Sequence, residues 1–370
     1  MDEKTEGNSS IRSTTFEINM FGSSMASLGA RLFFKHSQRC LSSKQLMYEK
    51  YGHPPDVLNL VTKEVGEVGA DEVRVRWLGA PINPADINQL QGVYPIRPPL
   101  PAVGGMEGFG EVEEVGSEVT TLRAGDWVVP GISAAGSWRT FGKHCERKLF
   151  KIANDLPFDS AATFQVNPPT AYRMLKDFVK LKAGDLVVQN GANSSVGRCV
   201  IQLCKLWNIR TVNVVRNREN LGALIRELKE IGADEVFTEE EMKKESKDRA
   251  KNAQLALNCV GGRSSLMLST CLSSKGVMVT YGGMSKKPIE VPTGPFIFKD
   301  IKLVGFWISQ WYATQGTEKD REAMFEELQD LIKHGKLCPP KTNKLKLEDW
   351  KTAVTNAMNS LGTKQLLVMQ

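Results

Sequence analysis

Two stretches of this chain hold residues whose types and spacing suit chemistry on a small molecule. The first is "LVVQNGANSSVGRCVIQLCKLWNIRTVNVVRNR", beginning at Leu186. Leu186 to Gln189 reads as a buried strand, residues 191 to 197 as a glycine-bounded turn, Arg198 to Trp207 as an amphipathic helix, and Thr211 to Val215 as a second buried strand. The turn "GANSSVG" departs from G-x-G-x-x-G, and a glycine turn alone is weak evidence. Its setting between a strand and a helix inside one βαβ unit is what points to a dinucleotide site. A helix N-terminus offers unpaired amides and partial positive charge to a diphosphate, and Asn193, Ser194 and Ser195 can add donors.

The end of the second strand selects the dinucleotide. An acidic residue there accepts from the ribose hydroxyls of NAD. This chain has Arg216, Asn217 and Arg218 instead. Two guanidiniums grip a 2′-phosphate where a carboxylate would repel it. At ~1.5–3 kcal/mol per charged bond, the pair supplies a preference of order 10² to 10⁴ for NADP over NAD. The expected cofactor is NADPH.

The second stretch is "QGVYPIRPPLPAVGGMEG", residues 91 to 108. Pro95, Pro98, Pro99 and Pro101 remove amide donors and fix φ, so it is neither strand nor helix interior. Tyr94 stands at its mouth, either anchoring a rigid loop or serving as the acid of an active site. A stiff loop loses little entropy when it positions an acid.

The elements that must position these groups fall into two kinds. From Pro55 to about Val129, short runs such as "DEVRVRWLGAPIN" and "GEVEEVGSEV" alternate with period two between Gly, Pro and Asp punctuation, which predicts an all-β region. Around Thr170 the period becomes helical. Strand-like runs "LALNCV", "VMVTYGG" and "KLVGFWI" then alternate with helical or charged stretches, which predicts a parallel sheet covered on both faces. "TEEEMKKESKDRAK" reads as a solvated surface segment. The helix "MFEELQDLIKHG" and a terminal "KQLLVM" strand close the chain. "LQDLI" superficially resembles a receptor-binding helix, but its apolar spacing is that of a core stripe.

Composition narrows the function. The chain has 370 residues, 41% hydrophobic and 24% charged, with a formal charge of +6. That mild charge without a clustered Lys/Arg footprint disfavours nucleic acid, and no apolar run is long enough to span a bilayer. The seven cysteines show no C-x-x-C spacing, which favours free thiols over disulfides or structural zinc. His144 and Cys145 are neighbours on an extended chain and point to opposite faces. The N-terminal 1–48 segment has no acidic residue from Ile18 to Tyr48 but carries Arg31, Lys35, Arg39 and Lys44 among Ser, Leu and Phe. This is the composition of a mitochondrial transit peptide, exposed by translation from Met20 or Met25.

The layout resembles that of the medium-chain dehydrogenase/reductases. Many of these use zinc, with a histidine ligand in "GHEGxG". Here the stretch is "GGMEGFG", with Met106 at the histidine's place and no cysteine between Cys40 and Cys145. "INPADINQLQGVYPIRPPLPAVGGMEG", "NPPTAYRML", "RTVNVVRNR", "LALNCVGG", "VTYGGM" and "LVGFWISQW" together are similar to the zinc-free mitochondrial trans-2-enoyl-CoA reductases, from about residue 50 to the C-terminus.

That resemblance implies an α/β fold with a GroES-like β-rich catalytic domain (49–179), a Rossmann NADPH-binding domain (180–317) and a C-terminal return to the catalytic domain (318–370). It implies NADPH-dependent reduction of the 2,3-double bond of 2-enoyl thioesters on coenzyme A or acyl-carrier protein, in the mitochondrial matrix, by a homodimer. Tyr94 matches the family's proton donor. Cofactor contacts fall on Asn167, Asn193, Ser194, Ser195, Val196, Arg216, Asn217, Arg218, Tyr281, Gly282, Gly283, Met284, Phe306, Trp307, Ile308, Ser309 and Lys364. No metal is expected. The rival readings are a quinone or 2-alkenal reductase of the same superfamily and an NADPH-binding transcriptional regulator.

Overall fold

A computed structural model describes residues 41–131, 134–359 and 362–369, with residues 245–248 described for the backbone only. The predicted transit peptide lies almost wholly outside these residues. The folded chain starts before residue 49: Ser42–Tyr48 is a strand, antiparallel to Asn59–Glu64 on one side and to Ala102–Val103 on the other. Leu46 and Tyr48 are wholly buried. The acid-free composition of this segment concealed the strand, whose apolar residues are grouped at one end.

The β-rich part centres on Glu72–Pro81, "EVRVRWLGAP", whose buried and part-buried residues alternate along its first half. It pairs antiparallel with Phe109–Val115, with Phe141–Cys145 and with the terminal strand Lys364–Val368. The C-terminus thus returns to the first sheet and carries Lys364 with it. In Phe141–Cys145, His144 is buried against Trp77 while Cys145 is part-exposed, as alternation requires. Burial and the neighbouring Arg139 push the His144 imidazole down to about 3, so it stays neutral.

The second sheet is parallel, with spatial order Glu235–Thr238, Arg210–Val215, Leu186–Asn190, Ala253–Asn258, Leu272–Thr280 and Lys302–Gly305. In chain order this is 3-2-1-4-5-6, the doubly wound arrangement, whose ligand crevice opens at the carboxyl ends of its first and fourth strands. Leu186–Asn190 is buried at every position, so its two polar residues, Gln189 and Asn190, find their partners inside the protein.

The helix after the turn begins at Ser195, three residues earlier than periodicity suggested. Ser194 Oγ caps it by accepting from Gly197 N at 3.1 Å. The charged segment is also helical, Glu239–Arg249, started by a capping box between Thr238 and Glu241. In the helix Glu318–Lys333, Leu328 and Ile332 are buried in the main core, so "LQDLI" is a core stripe. Among the described residues, no helix is long and apolar enough to cross a membrane.

Candidate active site

At the crevice, Gly191 has φ +58°, and a Cβ there would lie 2.5 Å from Cys259 Sγ. Only glycine takes this turn so close to the fourth strand. The amides of Ser195 and Val196, the first two helical positions, have no acceptor among the described residues. Arg198 Nε donates to Asn193 O at 3.2 Å while its guanidinium pairs with Glu227 at 3.1 Å, which braces the turn from behind. Ser194's oxygen is committed to its cap, leaving its hydroxyl proton free for a ligand.

Arg216 and Arg218 stand side by side with no ion pair among the described residues. Burial, and then the charge of Arg216, hold the Arg218 guanidinium below its ordinary value, and its Nε is buried without a partner. Two adjacent cations without a carboxylate fit a phosphate dianion. The Tyr281 hydroxyl and Asn167 Nδ2 are likewise buried and unpartnered, and a Cβ on Gly283 would meet nothing within 4 Å. These orphaned donors and the open glycine face fit the expected dinucleotide. Met284 is exposed beside them. The Phe306 and Ile308 side chains are buried in the core, Phe306 edge-to-face with Phe178 at 5.8 Å. Ser309 follows, part-buried.

Trp307 stays at the site, where its Nε1 donates to the Tyr94 hydroxyl at 3.0 Å with the rings edge-to-face. The Tyr94 loop is fixed by tertiary bonds as well as by prolines. Val93 N and Tyr94 N donate to Asn88 O, Gln89 Nε2 to Ile96 O, and Tyr51 Oη to Pro98 O. Burial raises the Tyr94 phenol above its ordinary value, the Trp307 bond opposes this, and Asp86 adds to it. Tyr94 therefore remains protonated at neutral pH, as an acid must.

Beneath Tyr94 lies a cluster that the sequence reading did not single out beyond Lys364. Asp86 and Glu107 are fully buried. Asp86 accepts from Asn83 N at 2.7 Å and Met106 N at 2.8 Å; Glu107 accepts from Asn83 Nδ2 at 2.7 Å and Val166 N at 2.9 Å. Lys364 Nζ donates to Asn83 Oδ1. Burial raises Asp86 to about 7 and raises Glu107, while both carboxylates hold the Lys364 charge against its own burial. A signal for Asp86 was present: "NPAD" reads as Ncap, Pro at N1 and an acid at N3. Glu107 had none beyond its place in "GGMEG".

Residues 69–154 match the alcohol dehydrogenase GroES-like domain and residues 195–329 the family described as zinc-binding dehydrogenase. The donor set does not fit a zinc ion. Among the described residues no three His, Cys, Asp or Glu side chains group together, and Met106 is a buried thioether. These two domains and the dinucleotide crevice define a medium-chain dehydrogenase/reductase.

A mitochondrial enoyl-acyl-carrier-protein reductase of Caenorhabditis elegans is 53% identical over 90% of this chain and 97% of its own, and the one of Homo sapiens is 45% identical over 88% of each. Among solved structures, the Etr1p/NADP/crotonyl-CoA complex superposes with a TM-score of 0.81 at 35% identity, covering 89% of this chain and all of that one. The chain belongs to the family of mitochondrial enoyl-acyl-carrier-protein reductases.

Proposed function

We propose that Tyr94 is the acid in NADPH-dependent reduction of the 2,3-double bond of a trans-2-enoyl thioester. The single observation that carries this is the Trp307–Tyr94 bond. The indole N–H occupies the phenol oxygen as acceptor and leaves the phenol proton with no protein acceptor among the described residues. Bound NADPH supplies a hydride to C3 of the substrate. Tyr94 then gives its proton to C2, and the Trp307 N–H stabilises the phenolate left behind.

Ser195 and Val196 amides, with Asn193 and Ser194, cradle the diphosphate. Arg216 and Arg218, with Asn217 between them, take the 2′-phosphate. Asn167, Tyr281, Gly282, Gly283, Met284, the Phe306–Ser309 backbone and Lys364 face the nicotinamide half. Residues 49–179 with 318–370 form the catalytic domain and 180–317 the cofactor domain, the strand Ser42–Tyr48 being added to the former.

The enzyme works in the mitochondrial matrix after loss of the N-terminal segment, on substrates carried by coenzyme A or acyl-carrier protein. It is a homodimer joined along Lys302–Gly305, an edge strand beside the exposed Phe296, Ile297 and Phe298.

Purified enzyme should reduce 2-enoyl-CoA with NADPH far faster than a quinone; comparable quinone turnover removes the thioester reading. Tyr94→Phe should lower kcat by ~10² to 10⁴ with NADPH affinity little changed. Near-normal turnover in that variant takes Tyr94 out of the mechanism.

A further inference from the structure

Glu107 has no part in the chemistry above, yet it is 0% exposed and bonded to Asn83, Val166 and Ser137, on three separate segments. Its Oε2 accepts from Asn83 Nδ2 at 2.7 Å, its Oε1 from Val166 N at 2.9 Å, and its carbonyl from Ser137 Oγ at 2.6 Å. Asn83 caps the helix Pro84–Leu90, and Asn88 O in that helix holds the Tyr94 amide at 3.2 Å. Val166 immediately precedes Asn167. Lys364, arriving on the terminal strand, donates its ammonium to Asn83 Oδ1.

The chemistry of these groups leaves Asn83 one orientation. An ionised carboxylate only accepts and an ammonium only donates. An amide placed between them turns its NH₂ to Glu107 and its oxygen to Lys364. The second carboxylate oxygen fixes the N–H of Val166, and with it the Gln165–Val166 peptide, one residue ahead of Asn167.

We propose that Glu107 is a positioning residue for the cofactor site: through Asn83 it aims the Lys364 ammonium, and through Val166 it sets Asn167. This rests on the reading of Lys364 and Asn167 as cofactor contacts. Both Glu107 oxygens accept N–H bonds, the pattern of a carboxylate, and with the Lys364 charge these oppose the burial that raises its carboxyl. A neutral acid in its place would have a proton to donate and could take the Asn83 oxygen instead of its NH₂.

The test transposes the polarity of the pair and reads NADPH affinity by quenching of tryptophan fluorescence, without turnover. Glu107→Gln alone sets an NH₂ against either Asn83 Nδ2 or Val166 N–H and turns Asn83 away from Lys364. Loss of one charge-assisted bond should weaken NADPH about 10-fold or more. Asn83→Asp alone sets two carboxylates face to face and should weaken it similarly. In the double variant Glu107→Gln/Asn83→Asp, the new amide accepts from Val166 and donates to the new carboxylate, whose other oxygen accepts from Lys364. Net charge is unchanged, and affinity should return to within about threefold of wild type, a recovery no general loss of packing would give.

A double variant no better than the worse single variant overturns the proposal. So does one that fails to fold, because the transposed network satisfies every bond. Lys364→Ala separates the two readings. Unchanged NADPH affinity there refutes Lys364 as a cofactor contact. Weakened affinity, with Glu107→Gln still costing its full 10-fold on top of it, refutes Glu107 as acting through Lys364.

Discussion

The two halves of the active site place charge in opposite ways. In the dinucleotide half the charges are outside: Arg216 is exposed and Arg218 half-buried, while the interior beneath the crevice is zipped by neutral amides. Asn190 Nδ2 donates to Asn258 Oδ1 at 2.8 Å and to Ser264 Oγ at 3.1 Å, and Gln189 Nε2 donates to Asn213 Oδ1 at 2.8 Å, joining strands side to side. In the catalytic half the charges are inside: Asp86 and Glu107 share Lys364 under Tyr94. A charged ligand arriving from water is met by cations that water keeps charged. The proposed proton donor, Tyr94, stands over buried charges, which bind their neighbours strongly and carry a desolvation penalty. Mutations in the first half should therefore separate affinity from stability; those in the second should entangle stability with pH.

The largest effect tests the outer charges. Arg216→Ala with Arg218→Ala should weaken NADPH by ~10² to 10⁴ while NADH binding and the melting temperature stay nearly constant. An unchanged NADPH to NADH ratio refutes the phosphate assignment. A collapse in melting temperature would mean the arginines are structural and the contrast is wrong.

Next comes the neutral interior. Asn258 is wholly buried, with its Oδ1 accepting from Asn190 Nδ2, Val260 N and Gly261 N and its Nδ2 donating to Thr280 Oγ1. Asn258→Leu strands several of these donors at once and should destabilise the fold by about 2–4 kcal/mol. With no ionisable group among these partners, urea melts from pH 5 to 8 should shift by the same amount at each pH. A pH-dependent shift would show that this network is coupled to charge after all.

The two halves were also unequally legible. The strand–turn–helix and "RNR" lie within about 30 consecutive residues, so their periodicity and residue types declared them. Tyr94 was legible as a candidate because prolines isolate it. The buried cluster beneath it was not: Asn83 meets Glu107 across 24 residues, and it meets Lys364 across 281, a pairing that only the return of the terminal strand creates. Phe306 and Trp307 are adjacent, yet one packs into the core and the other bonds Tyr94. A strand end reverses faces at each residue, and which face is core depends on helices elsewhere. Ser42–Tyr48 was hidden because a segment read by its charge was not read for burial.

The smallest effect probes the buried charges directly. Burial raises the Asp86 carboxyl to about 7, against the N–H bonds from Asn83 and Met106 and the charge of Lys364; unfolded, it titrates near ~3.9. Between these values the folded protein keeps a proton that the unfolded chain has lost. Stability from this group is fully present below about pH 4 and declines as pH rises towards about 7. Asp86→Asn removes that slope while retaining one acceptor for the two backbone amides. The loss of unfolding free energy between pH 5 and 8 should then be smaller in Asp86→Asn than in wild type by about 1–2 kcal/mol, less than the full shift implies because Glu107 and Lys364 share the same proton balance. Identical losses in the two proteins would mean that Asp86 stays ionised in the fold, and that the buried charges cost no more than the neutral amides across the crevice.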